Sequence, residues 1–141
     1  MLRLPSTLLL LVFLSTPVYA LEEPGVAVET LVKGSASWEE TPLPAYPREP
    51  PQVTILRIRI PPGTTLPMHK HPVINAGVLI SGALTVITEK NEILRLKAGD
   101  PIIEVVDKWH YGKNEGTETA DIIVFYAGTA ASPLSVKHGS E

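Results

Sequence analysis

His69 and His71 are separated only by Lys70, in a stretch that begins at Gly63 and reads Gly-Thr-Thr-Leu-Pro-Met-His-Lys-His-Pro. Successive side chains of an extended chain point to opposite faces, so these two imidazoles share a face. Two imidazoles on one face make half of a metal site. A third, His110, lies in a second segment downstream, and the chain has four histidines in all. Neutral imidazole suits Fe, Zn, Ni and Cu, and also Mn when oxygen ligands join it. Three imidazoles from different strands, facing one interior, would fix three coordination positions and leave the others open. That is the layout of a catalytic site and not of a closed structural one. Glu104 interrupts the apolar run Ile102-Ile103-Glu104-Val105-Val106. A carboxylate there points to solvent, the commoner arrangement for an unpaired glutamate, or it faces a polar interior. Facing inward, it would ligate a metal or act as a general base with a raised pKa. His138 lies in a polar tail and reads as solvated.

Strands must position these groups. Val53, Ile55, Ile58 and Ile60 interleave with Thr54, Arg57 and Arg59, the pattern of a half-buried strand, and Pro61-Pro62-Gly63 ends it. Short extended segments follow at 66–74, 77–80, 83–88, 93–96 and 101–106, each bounded by turn residues such as Ser81-Gly82, Lys90-Asn91 and Ala98-Gly99-Asp100. Residues 107–114 read as a loop or short strand carrying His110, and 119–127 as the last strong strand, with Phe125 and Tyr126 as core. No convincing helical periodicity occurs after the N-terminal segment, so the pattern is that of an all-β sandwich or barrel. Pro42, Pro44, Pro47, Pro50 and Pro51 crowd the stretch before the first strand. Prolines exclude a helix or central strand there, yet Trp38, Leu43 and Tyr46 are too apolar for a simple linker. An ordered, extended arm lying on the domain or on a neighbouring subunit is expected.

The two histidine segments resemble the motifs of the cupins, small β-barrels of the double-stranded β-helix or jelly-roll type. In the first motif Gly63 is followed by five residues, His69-Lys70-His71, three residues, Asn75, six residues and Gly82. Asn75, or Ala76 under the family's longer spacing, stands where the family carries glutamate. In the second, Gly99 is followed by five residues, Val105 and Asp107 replace a proline and a glycine, and His110 and Asn114 stand at the family's offsets. The resemblance covers roughly residues 52–127. It implies His69, His71 and His110 as metal ligands, with Asn75 offering a neutral amide oxygen as a fourth. Losing the glutamate's charge favours Fe, Zn, Ni or Cu over Mn. Asn114 is expected to tie down its own turn through side-chain bonds to the backbone. The implied chemistry is metal-dependent oxygen insertion of the dioxygenase kind, or lyase and isomerase reactions on small acids or sugars in which Glu104 would remove a proton. A binding module that holds a ligand or metal without turnover is the alternative. A metal-free structural barrel is a third reading, against which the retention of all three histidines argues.

Arg3, an apolar run over Leu8–Leu14 and Val18-Tyr19-Ala20 fit a cleaved secretory leader over residues 1–20. The expected organisation is therefore a leader (1–20), an extended arm (21–51), the barrel (52–128) and a tail (129–141). Cleavage would remove Arg3 and shift the formal charge from −3 to −4. Acidic, mixed-sign composition disfavours nucleic acid as a partner. With no cysteines, no disulfide can hold an exported chain, and stability must come from the core, a metal or a second subunit. The expectations are a periplasmic or secreted protein, free of the membrane once the leader is cut, homodimeric, and acting on a small-molecule ligand or substrate.

Overall fold

The computed structural model describes residues 25–139, so the leader expected over 1–20 lies outside the described residues. Among the described residues nine strands follow in order: β1 (Pro51–Ile60), β2 (His69–Lys70), β3 (Ile74–Ser81), β4 (Ala83–Thr88), β5 (Ile93–Lys97), β6 (Pro101–Ile103), β7 (His110–Lys113), β8 (Ala120–Thr129) and β9 (Val136–Lys137). They form two antiparallel sheets, one in the order β1-β8-β3-β6 and the other β5-β4-β7-β2-β9. This is an all-β jelly roll. Among the described residues no helix is long and apolar enough to cross a membrane.

The sheets face each other across a core that includes Ile60, Leu79, Leu84, Val86, Leu96, Ile102, Ile122 and Val124. These residues come from both inner faces, as the alternation of strand side chains requires. In β1 the phase is set by Leu56, Ile58 and Ile60. Leu56 and Ile58 pack on the core, whereas Val53 and Ile55 face outward and are exposed. Phe125, expected in the core, is likewise outward and 47% exposed, because Val124 and Tyr126 on either side of it point in. A strand rich in apolar residues on both faces does not reveal its phase to a count of hydrophobics.

The turns carry the residue types that their backbones need. Gly82 has φ +76°, and a Cβ there would lie 2.6 Å from the Thr119 carbonyl oxygen. Asp107, standing where the second motif has glycine, takes φ +54°. Aspartate tolerates this left-handed conformation better than most residues. Its N–H bonds the His71 carbonyl at 2.8 Å, so the turn survives the replacement.

The proline-rich region contains an ordered piece that lies on its own barrel. Trp38 packs against the core, and its backbone N–H donates to Ile103 O at 2.9 Å. Glu39 meets Lys108 at 2.8 Å. Residues past 129 also return to the barrel: β9 pairs with β2, His69 against Lys137 and Lys70 against Val136. Small polar residues give no strand signal here, and a partner strand supplies what local propensity lacks.

Candidate metal centre

Strand β2 lies between β7 and β9, with His69 directly opposite His110 in one ladder. Residues opposite one another in an antiparallel pair share a face, which brings these two imidazoles together. His71 follows two positions on, on the same face. The ring centroids are separated by 4.6 Å for His69 and His110, and by 5.0 Å for His71 to each of the others. One nitrogen from each ring lies within 4.8 Å of the other two, a spacing that could hold one metal ion.

Each ring is oriented by a backbone carbonyl at Nδ1. His69 meets Pro67 O at 2.8 Å, His71 meets Leu134 O at 2.7 Å, and His110 meets Lys108 O at 2.9 Å. A carbonyl only accepts, so each Nδ1 carries a proton, and in the neutral ring Nε2 is left with a free lone pair. This is the outer-shell support typical of metal-binding imidazoles, fixing both tautomer and ring direction. Burial holds the pKa values of His69 and His71 below the usual histidine value, keeping those rings neutral.

Glu104 is buried, at 8% exposure, and stands inward. Its Oε2 lies 3.3 Å from His110 Nε2. Among the described residues Oε2 has no hydrogen-bond partner. Burial works against the carboxylate's charge, but His110, with smaller contributions from His71 and His69, draws its pKa below the usual value. Burial likewise opposes charge on His110, and Glu104 overrides it, raising that pKa. The position of Glu104 follows from the same strand alternation. It continues β6 past Ile102, whose side chain is also interior.

Asn75 is also interior, at 1% exposure; its Nδ2 donates to Val73 O at 3.2 Å, and its Oδ1 has no partner among the described residues. It is the cross-strand neighbour of Glu104, whose N–H bonds the Asn75 carbonyl at 3.1 Å. His138 is exposed, as a solvated tail residue would be, with its ring against Trp109 at 4.9 Å.

The histidines and Glu104 open onto a cavity with a water-accessible volume of about 60 Å³, walled mainly by apolar side chains such as Ile58, Leu66, Val86 and Val124. Among the described residues neither arginine nor lysine lines it. Tyr126 does, with its ring 5.5 Å from that of His71. Burial, and then the charge of Glu104, push the tyrosine pKa up to about 12, so the hydroxyl keeps its proton at neutral pH. Tyr126, expected in the core, belongs to it and also walls the cavity, in phase with Ile122 and Val124.

A family model, the cupin domain, matches residues 56–126. The chain belongs to the cupin family. Solved structures similar to this cupin include an oxalate decarboxylase from Lactobacillus farciminis in complex with formate, at TM-score 0.53 and 19% identity over 61% of this chain and 26% of that one. A DMSP lyase from Ruegeria pomeroyi aligns at TM-score 0.54 and 19% identity, over 61% of this chain and 43% of that one. An oxalate oxidase in complex with the substrate analogue glycolate aligns at TM-score 0.52 and 26% identity, over 61% of this chain and 46% of that one. The cupin thus spans between about a quarter and a half of the length of these three structures. No curated protein matches it.

Proposed function

We propose that this cupin is a small-molecule metalloenzyme whose single transition-metal ion is held by His69, His71 and His110. The observation that carries this reading is the set of three Nε2 lone pairs, each fixed by a carbonyl behind it, converging on one cavity. The donor set fits such an ion: neutral nitrogens suit Fe, Zn, Ni and Cu, and a nearby carboxylate extends the range to Mn. When bound, the ion would supply a Lewis acid and a template for the substrate.

The chain's own residues define what enters. A water needs about 10–15 Å³ of such volume, so the cavity has room for roughly four to six water-sized groups. Without arginine or lysine in its wall, a substrate anion has no protein cation to meet and must find its partner at the histidine cluster. Tyr126 keeps its phenolic proton and can donate a hydrogen bond to an oxygen of that substrate, or protonate it. Glu104 has two available roles, ligand or base. The substrate class we propose is a compact oxygen-rich acid, and the oxalate oxidase at 26% identity supports it. The reaction is then an oxidation or a carbon–carbon or carbon–heteroatom cleavage of lyase type. Export rests on the sequence of residues 1–20, and a homodimer on the exposed apolar face that includes Val53, Ile55 and Phe125.

Elemental analysis of untagged protein beside His110→Ala tests this. About one equivalent of a transition metal, lost in the variant, is expected for a mononuclear site. Loaded protein should then turn over a member of a panel of two- to four-carbon acids, followed by oxygen consumption and carbon dioxide release. Less than about a tenth of an equivalent, unchanged after Fe, Zn, Ni, Cu or Mn is added, would end the metal reading. Full loading without turnover of any acid, with or without oxygen, would favour the binding module.

A further inference from the structure

Two lone pairs face each other in this site. His110 donates from Nδ1 to Lys108 O, so in its neutral form Nε2 presents a lone pair. The Glu104 Oε2 stands 3.3 Å in front of it, buried and without a hydrogen-bond partner. An acceptor held against an acceptor in a buried site is stabilised by a cation shared between the two atoms, a proton on Nε2 or a metal ion. The separation is the one expected of two atoms bound to the same cation. Donors about 2.1 Å from an ion, at tetrahedral or octahedral angles, lie roughly 3.0–3.4 Å apart.

We infer that Glu104 is a direct ligand of the metal ion, so that the site is three histidines and one carboxylate, with Asn75 outside the coordination sphere. This rests on the metal reading above and deepens it. Three observations place the carboxylate there. Glu104 is interior, at the end of β6, where the strand phase aims it at the cavity. Its free oxygen stands next to His110 Nε2 and not next to a donor of its own. It is also the cross-strand neighbour of Asn75, with Glu104 N–H bonded to Asn75 O at 3.1 Å. Side chains opposite one another on antiparallel strands lie about 4.5–5.5 Å apart at Cβ on a shared face. The carboxylate absent from position 75 is therefore supplied from the adjoining strand, 29 residues later in the chain. With that charge restored, the disadvantage for Mn that follows from Asn75 alone disappears, and Mn and Fe join the ions the site accepts.

The test is titration of metal-free full-length protein with Co²⁺, followed by calorimetry and by the visible d–d bands, which report the ligand set directly. Glu104→Gln keeps the shape and removes the charge. It should weaken Co²⁺ binding by at least about 100-fold, beyond what loss of an outer-shell partner does, and shift the bands. Asn75→Ala should bind within about threefold of the parent with unshifted bands. The double variant Asn75→Glu/Glu104→Gln returns a carboxylate from the neighbouring strand and should recover most of the lost affinity. Circular dichroism of each variant separates lost binding from lost folding, and Glu104→Asp serves if Glu104→Gln does not fold. If the parent binds Co²⁺ and Glu104→Gln binds equally with unchanged bands, Glu104 is not a ligand and the three-histidine reading stands alone. If the parent binds none of Co²⁺, Zn²⁺, Ni²⁺, Fe²⁺ or Mn²⁺, the metal reading itself falls.

Discussion

Asn114 ties three segments together from a fully buried position, and replacing it with alanine should be among the most damaging single changes outside the hydrophobic core. Its Nδ2 donates to Ile60 O at the end of β1 and to Glu118 O, each at 2.8 Å. Its Oδ1 accepts from Gly116 N–H at 2.9 Å. Each bond contributes about 1 kcal/mol net, and a buried carbonyl left without a partner costs about 1–3 kcal/mol more. Asn114→Ala removes all three and withdraws the side-chain donor from the buried Ile60 O, so the loss should be about 4–6 kcal/mol. For a domain of this size that corresponds to a fall in Tm of roughly 15–25 °C. Urea unfolding followed by circular dichroism and tryptophan fluorescence measures it. Asn114→Asp is the informative companion: it keeps the acceptor but aims a carboxylate at two carbonyls, and it should be no more stable than the alanine variant. A loss below about 1 kcal/mol for Asn114→Ala would refute the reasoning, because the β1–β7 corner would then be held by its backbone bonds alone.

Gly82→Ala should destabilise the barrel by at least about 2 kcal/mol, since the new methyl meets backbone atoms at a positive φ. Gly99→Ala, also at positive φ but in open space, should lose only about 1 kcal/mol in the same urea series. Tyr126 should titrate near pH 12, and an ultraviolet absorbance titration should lose that late step in Tyr126→Phe. Because its pKa is raised above the unfolded value of about 10, its contribution to stability is complete below that pH and is lost as pH rises toward 12. Denaturation midpoints of parent and Tyr126→Phe across that range check the sign; a parent slope no steeper than the variant's would contradict it. Ile55→Lys combined with Phe125→Lys should turn a dimer into a monomer in sedimentation velocity while changing monomer stability by no more than about 1 kcal/mol, both side chains being exposed. A dimer that survives both charges must use another face.

The histidine cluster and the strand succession were legible because both rest on local spacing. One residue between His69 and His71 fixes their common face in any extended segment. Alternation and turn residues likewise mark most strand boundaries. What escaped depended on phase and on distant partners. Glu104 has apolar neighbours on both sides, so its sequence surroundings look alike whether it points in or out; only the ladder with β3 decides. Phe125 and Tyr126 are adjacent aromatics in one strand, and their opposite fates follow from the phase of Ile122 and Val124. The carbonyls of Pro67, Lys108 and Leu134 that set the imidazole tautomers carry no side-chain signal at all. Asp107 shows the reverse case, in which a departure from the motif preserved the backbone conformation the motif exists to provide.

The bond from Leu134 O to His71 Nδ1 spans 63 residues. On a growing chain, the His-Lys-His segment emerges long before the residue that orients its second imidazole. A nascent chain short of Leu134 therefore lacks one of the three ring supports, and the same shortfall leaves β2 without its outer neighbour β9. If the three histidines hold an ion as proposed above, its capture at full strength waits until the last strand has closed, and a chain exported before that point would take its ion from the compartment in which it finishes folding.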